Sequence, residues 1–212
     1  MSKGRRTQSS QRWLQRWLKD PYVLRARKEG WRARSAFKLL EIEEKHKILK
    51  GKRRILELGS APGGWTEVVR HITPTSFIVA VDRLEMDPIE GALCLQADLS
   101  SEEGWDKVRS ALSDQKADVV LSDAAPNTIG HASTDHIRMM VLVEKIWQCS
   151  QAFLDDGGVF VCKGWQGHEW SVFVKSLQKY FIKTSLMKPP SSQKESREVF
   201  FIGQGYHVAE RL

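Results

Sequence analysis

Cysteine is scarce in this chain: Cys94, Cys149 and Cys162 are the only three in 212 residues. They are far apart and odd in number, so they make neither a disulfide framework nor a metal-ligand pattern. No metal is expected, and a reducing, cytoplasmic compartment is. Long apolar runs are missing too. None approaches the ~20 residues that a membrane span requires, and there is no apolar signal-peptide core. The chain shows no internal repeat and no interdomain linker. What it has is length for one sizeable core and an unremarkable 41% of hydrophobic residues, which suits one soluble globular domain.

Charge is unevenly placed. The formal net charge is +7, yet residues 1–38 hold twelve Lys/Arg against two acids, a local balance of +10 that leaves −3 for the remaining 174 residues. A mildly acidic body with a basic front end fits a polyanionic partner. Trp13, Trp17, Tyr22 and Trp31 are interleaved with these cations. Stacking on bases while Lys and Arg meet phosphates is how single-stranded nucleic acid is gripped. Two plainer readings compete. The segment is a solvated tail, or the acid-free first 18 residues are an organelle transit peptide. Against the second, Trp13, Leu14, Trp17 and Leu18 trace one helical face. Residues 1–10 are expected to be disordered.

The rest reads as alternating elements. Residues 34–48 have a rough 3.6-residue apolar period, with Gly51 as a stop. Strand-like runs follow at 54–58, 77–81, 93–96, 119–122, 158–162 and 198–203, with a weaker one at 184–188. Helix-like stretches fill 65–71, 102–112, 134–154 and 169–181. This alternation predicts a doubly wound α/β fold with a mostly parallel sheet of seven strands and helices on both faces. The last two strands are too close for a long crossover. They are expected to pair antiparallel across a loop at Pro189–Arg197. One antiparallel strand in such a sheet is the pattern of Rossmann-like methyltransferases.

The first strand, Ile55-Leu56-Glu57-Leu58, runs into Gly59-Ser60-Ala61-Pro62-Gly63-Gly64-Trp65. Gly59, Gly63 and Gly64 let backbone bend sharply and approach a ligand. The turn is not G-x-G-x-x-G, and no Lys-Ser/Thr pair follows Gly64, so dinucleotide and P-loop readings weaken. A turn that need not cradle phosphate suits S-adenosylmethionine. Asp82 ends the next strand, where a carboxylate can take both ribose hydroxyls. Asp98 ends the one after, where an acid can accept from an adenine amino group. Singly, each reads equally well as a turn residue.

Four further charges stand at strand ends or on a helix. Asp123 ends Val119-Val120-Leu121-Ser122, Lys163 ends Val159-Phe160-Val161-Cys162, Glu198 opens Val199-Phe200-Phe201-Ile202, and Lys38 lies on the first long helix. A parallel sheet carries its functional groups at the carboxyl ends of its strands. Several of these charges are therefore expected on one rim, beside the glycine turn.

The motifs RARSAFKLLEI (32–42), LGSAPGGW (58–65), VDRLEMDPI (81–89), LSDAAPN (121–127), FVCKGWQG (160–167) and SREVFFI (196–202) together resemble the FtsJ/RrmJ (RlmE) family of ribosomal RNA 2′-O-methyltransferases, bacterial type. The resemblance covers nearly the whole chain. It implies a class I methyltransferase fold and a catalytic set at Lys38, Asp123, Lys163 and Glu198. It implies cofactor contacts at Gly63, Trp65, Asp82, Asp98 and Asp123, beside Gly59 and Gly64 of the turn. It implies S-adenosylmethionine as methyl donor and, as substrate, a uridine ribose of 23S ribosomal RNA in the assembled 50S subunit. Residues 1–33 then read as an RNA-contacting segment, residues 34–212 as the methyltransferase domain, and the protein as a monomer. Cys162 and Gly164-Trp165 depart from the valine and phenylalanine common in relatives, which touches local packing and leaves Lys163 intact.

A 2′-hydroxyl is a poor nucleophile, so its proton must leave as the methyl arrives. Lysine takes a proton only when neutral. Burial and a neighbouring Lys38 favour that, while two carboxylates oppose it. Lys163 as base, and Lys163 as a guide that passes the proton to water, both stay open from sequence. So do three other functions: methylation of transfer RNA or a messenger cap, a non-catalytic RNA-binding assembly factor, and, least favoured by the turn, a nicotinamide dehydrogenase.

Overall fold

A computed structural model of the chain describes residues 18–208. The expected face of Trp13, Leu14 and Trp17, and the expected disorder of residues 1–10, lie outside them. The elements run α1 (Pro21–Glu29), α2 (Ser35–His46), β1 (Arg54–Leu58), α3 (Gly64–Ile72), β2 (Phe77–Asp82), β3 (Ala92–Gln96), α4 (Glu102–Ala111), β4 (Ala117–Ser122), α5 (Ala132–Phe153), β5 (Leu154–Trp165), α6 (His168–Gln178), β6 (Phe181–Met187) and β7 (Glu198–Tyr206). They build one seven-stranded sheet in the order β3-β2-β1-β4-β5-β7-β6. β1 to β5 pair in parallel, and β7 alone is antiparallel to its neighbours β5 and β6.

Period-two alternation divides the core into two layers. Leu56, Leu58, Val120, Phe160, Cys162 and Phe201 face the side covered by α4, α5 and α6. Ile55, Val119, Leu121, Val161, Phe200 and Ile202 face α2 and α3. The central strands are therefore buried on both faces and read as continuous apolar runs. The edge strands β3 and β6 are largely open to solvent.

Several elements depart from the sequence expectation, β7 for one running on to Tyr206 past the expected 203. α1 was not expected as a helix, although its punctuation is legible. Asp20 caps it by accepting from the backbone N–H of Tyr22 and Val23, Pro21 opens it, and Gly30 closes it at φ 83°. β5 begins at Leu154 rather than 158, because the β4–β5 register jumps from Ala117↔Leu154 to Val119↔Val159 and loops out the residues between. β6 begins at Phe181 rather than 184. That ring is drawn into the core, 5.6 Å from Tyr206 and 5.7 Å from Phe201, so α6 stops at Gln178.

Candidate active site

The sheet's parity gathers the charges. Asp123 continues the series Val119, Leu121; Lys163 continues Val159, Val161; Glu198 precedes Phe200, Ile202. All belong to the α2/α3 face. The direction of β7 adds the last piece. Parallel strands reach the rim with their last residues, whereas an antiparallel strand reaches it with its first. Glu198 thus pairs across from Trp165, and Lys163 from Phe200. Ser122 sits beside Cys162 on the other side, which puts Asp123 next to Lys163.

α2 supplies the fourth charge. Ala36, Leu39 and Ile42 hold it on the core, and Lys38 stands off that face. Lys38 Nζ donates to Glu198 Oε2 at 2.9 Å and lies 3.9 Å from Asp123 Oδ1. Lys163 Nζ donates to the Asp123 carbonyl at 2.5 Å and lies 2.9 Å from its Oδ1. Two cations and two carboxylates alternate in one cluster, each side chain only 10–17% exposed. Burial alone would push the Asp123 carboxyl up. Lys163 first, then Lys38, outweigh it, and the net shift is downward, so Asp123 is an anion. The structure brings all four expected residues together.

The glycine turn borders a cavity of about 450 Å³ lined by Gly59, Ala61, Asp82, Asp98, Asp123 and Asn127 among others. Gly59 has φ 80°, and a side chain there would lie 2.6 Å from the backbone of Ala124, so two rim turns meet at van der Waals contact only because it is glycine. Asp82 accepts from Ala61 N at 2.9 Å and from Leu84 N at 2.8 Å, one bond per oxygen. Asp98 accepts from the amide and the hydroxyl of Ser100 through Oδ1, and these bonds lower its pKa.

Gly63, Gly64 and Trp65 open α3 behind this cavity. A side chain at Gly64 would lie 2.7 Å from Ser35 Oγ, so glycine there serves the approach of α2 to α3. The side chain of Trp65 does not line the cavity. It is 1% exposed, donates to the Ser35 carbonyl at 2.9 Å and packs 5.6 Å from Phe200, and so belongs to the core beneath the four charges.

Two residues escaped the sequence reading. Glu57 is 2% exposed inside β1 and accepts from Thr66 Oγ1 at 2.6 Å. Burial, with the negative charges of Asp123 and Asp82 added, raises its pKa to about 8 against the pull of the Thr66 bond. A carboxylate amid Ile55, Leu56 and Leu58 was the available signal. Arg32 is the other. It binds Glu67 through its backbone N–H and Nε, and the carbonyls of Asp87 and Pro88 through its guanidinium, which pins the loop after β2 to the start of α2.

The chain is similar to known proteins over most of its length. The FtsJ-like methyltransferase family model matches residues 31–206. The chain is 46% identical over 202 residues to ribosomal RNA large subunit methyltransferase E of Novosphingobium aromaticivorans, spanning 95% of this chain and 90% of that one. It is 45% identical over 205 residues to the protein of the same name from Rhizorhabdus wittichii, spanning 97% and 89%. The crystal structure of a ribosomal RNA methyltransferase from Plasmodium falciparum superposes with a TM-score of 0.76 at 28% identity, over 83% of this chain and 98% of that one.

Proposed function

This chain belongs to the FtsJ-like methyltransferase family, and from that premise we propose that it methylates the 2′-hydroxyl of a uridine ribose in 23S ribosomal RNA, within the assembled 50S subunit, using S-adenosylmethionine. One observation carries the chemistry: the pairs Lys38–Glu198 and Lys163–Asp123 converge at the edge of the Asp82/Asp98 cavity. The RNA comes from the relatives, which are named for methylation of large-subunit ribosomal RNA.

The cavity suits this cofactor. Asp82 has lone pairs left after its two backbone bonds, enough to accept ribose hydroxyls, and Asp98 can accept from the adenine amino group. Gly59 lets the turn close against Ala124 at the border of the cavity. When bound, S-adenosylmethionine supplies an electrophilic methyl group on a sulfonium cation. Asp123, kept anionic by the two lysines, borders both the cavity and the lysines and favours positive charge there. Lys163 Nζ is held by Asp123, through a hydrogen bond to its carbonyl and an ion pair with its carboxylate, and so stays at the rim where the acceptor hydroxyl arrives. In its neutral form, with one proton already passed to water, it takes the hydroxyl proton on its lone pair as the carbon–oxygen bond forms. Lys38, held by Glu198, orients the hydroxyl or its neighbouring phosphate. Such proton handling is typically worth ~10²–10⁴-fold. Orientation of the reacting groups is worth up to ~7–11 kcal/mol.

Residues 1–33 contact the RNA, with Arg25, Arg27 and Lys28 of α1 continuing the cationic stretch. The protein works as a monomer in the cytoplasm. Its three free cysteines suit that setting, and among the described residues no helix is long and apolar enough to cross a membrane. The test is incubation with undermodified large subunits and labelled methyl donor, followed by mapping of the product. Label on one uridine 2′-oxygen is expected. Label on a base atom, or on transfer RNA in preference, overturns the proposal.

A further inference from the structure

The loop between β6 and β7, residues 188–197, has no regular structure, yet it delivers Glu198 to the rim. Ser191 within it is fully buried, at 0% exposure. All its polar groups are held by α2 and its cap. Its N–H donates to Glu41 Oε2 at 3.0 Å, its hydroxyl donates to the same oxygen at 2.7 Å, and its carbonyl accepts from Arg34 Nη2. Arg34 stands four residues before Lys38 and Glu41 three residues after it. On a helix, positions at these spacings lie on one side. The lysine of the charged cluster is thus bracketed by the two residues that hold the loop.

The loop is also braced internally, up to the strand. Lys188 Nζ donates to the carbonyls of Lys194 at 3.1 Å and Ser196 at 2.5 Å, and Ser196 Oγ accepts from Glu198 N at 3.1 Å. The ion pair of Lys38 with Glu198, 2.9 Å long, therefore has both ends fixed by one clamp. α2 carries one end and, through Ser191, holds the segment that carries the other.

We infer that Glu41 and Ser191 are positioning residues for the reaction: by docking the 188–197 loop on α2 they set the geometry of the Lys38–Glu198 pair. This rests on the catalytic reading of Lys38 and Glu198 above. A displacement of 1 Å at a reacting group is enough to cost about 10²-fold in rate, so a loosened clamp should show in turnover.

The experiment uses the full chain and three variants, Glu41→Ala, Glu41→Gln and Ser191→Ala. Hydrogen exchange, cofactor affinity and single-turnover methyl transfer to large subunits are measured, with and without Lys38→Ala. Glu41→Ala is expected to speed exchange in residues 188–198, leave cofactor affinity within about twofold, and slow transfer by about tenfold or more. Glu41→Gln keeps an acceptor oxygen for Ser191 and is expected to recover most of the rate. In the Lys38→Ala background, Glu41→Ala should add less than about twofold, because residues acting through one another are not additive. Ser191→Ala, a milder change, should show the same pattern at about threefold and decides the matter if Glu41→Ala does not fold. An unchanged rate despite faster loop exchange overturns the inference. So does an equal loss in both backgrounds, which marks the clamp as merely structural. A wild-type rate for Lys38→Ala alone overturns the assignment of Lys38, and the inference with it; the other failures leave that assignment standing.

Discussion

Lys163 meets one residue twice, touching both the carbonyl and the carboxylate of Asp123. A lysine so held has little freedom to leave the rim. Replacing it by alanine is expected to cut single-turnover methyl transfer by ~10²-fold or more, with RNA and cofactor affinities changed far less, since an interaction made in the transition state shows in rate. Lys163→Arg is expected not to rescue, because guanidinium keeps the charge but does not give up its proton and has a different shape. Near-wild-type turnover by Lys163→Arg would show that charge alone suffices and remove the base. At this scale the sequence was legible where a charge interrupts an apolar run at a strand end, as at Asp123, Lys163 and Glu198. It was not legible at Trp65, whose place in the turn motif hides that its ring is claimed by Phe200 and the core.

Among elements, β7 does the most to assemble the site, because running against its neighbours brings its first residue to the edge where theirs end. The nine- to ten-residue gap before it made that pairing readable, since so short a segment holds no crossover helix. The true starts of β5 and β6 were not readable. A bulge against β4 and the tertiary partners of Phe181 decide them. α1 ties the cationic front end to the body: Val23 and Ala26 are buried, and Asp20 binds Arg34. Deleting residues 1–17 removes Lys3, Arg5, Arg6, Arg12 and Arg16 while leaving those contacts in place. RNA affinity should then fall and its log–log salt dependence should flatten by at least about one, because each phosphate no longer neutralised retains its counterion. Cofactor affinity should not move. Binding titrations across salt concentrations that give the same slope for both proteins would mean that these cations do not touch RNA.

The whole molecule balances two acids of opposite habit, Asp123 partly exposed at the rim and Glu57 buried in β1. Asp123 is held below its ordinary range, so its contribution is present above the unfolded pKa and is lost as pH falls through the folded one. Glu57 is raised from 4.5 to about 8, so its contribution is present in acid and is lost as pH climbs through that window. Between those values the unfolded state has released the Glu57 proton and the folded state has not. Glu57→Gln, which cannot ionise, should therefore gain on the wild type from about pH 5 to about pH 8. The difference in Tm should grow by several degrees, given that 1 kcal/mol moves Tm by ~2–4 °C in a domain of this size. Parallel Tm–pH curves would show that Glu57 ionises freely in the fold. The alternating strands and helices, the glycine turn and the acids that follow or close β2, β3 and β4 are written in the sequence alone, because they follow from local periodicity and backbone sterics. Only the tertiary structure decided which charges touch, how Ser191 joins α2 to Glu198, and that Glu57 is buried between two other acids. Those facts depend on strand order, register and burial, which bring together residues as distant as Lys38 and Glu198 and are written in no local stretch of the chain.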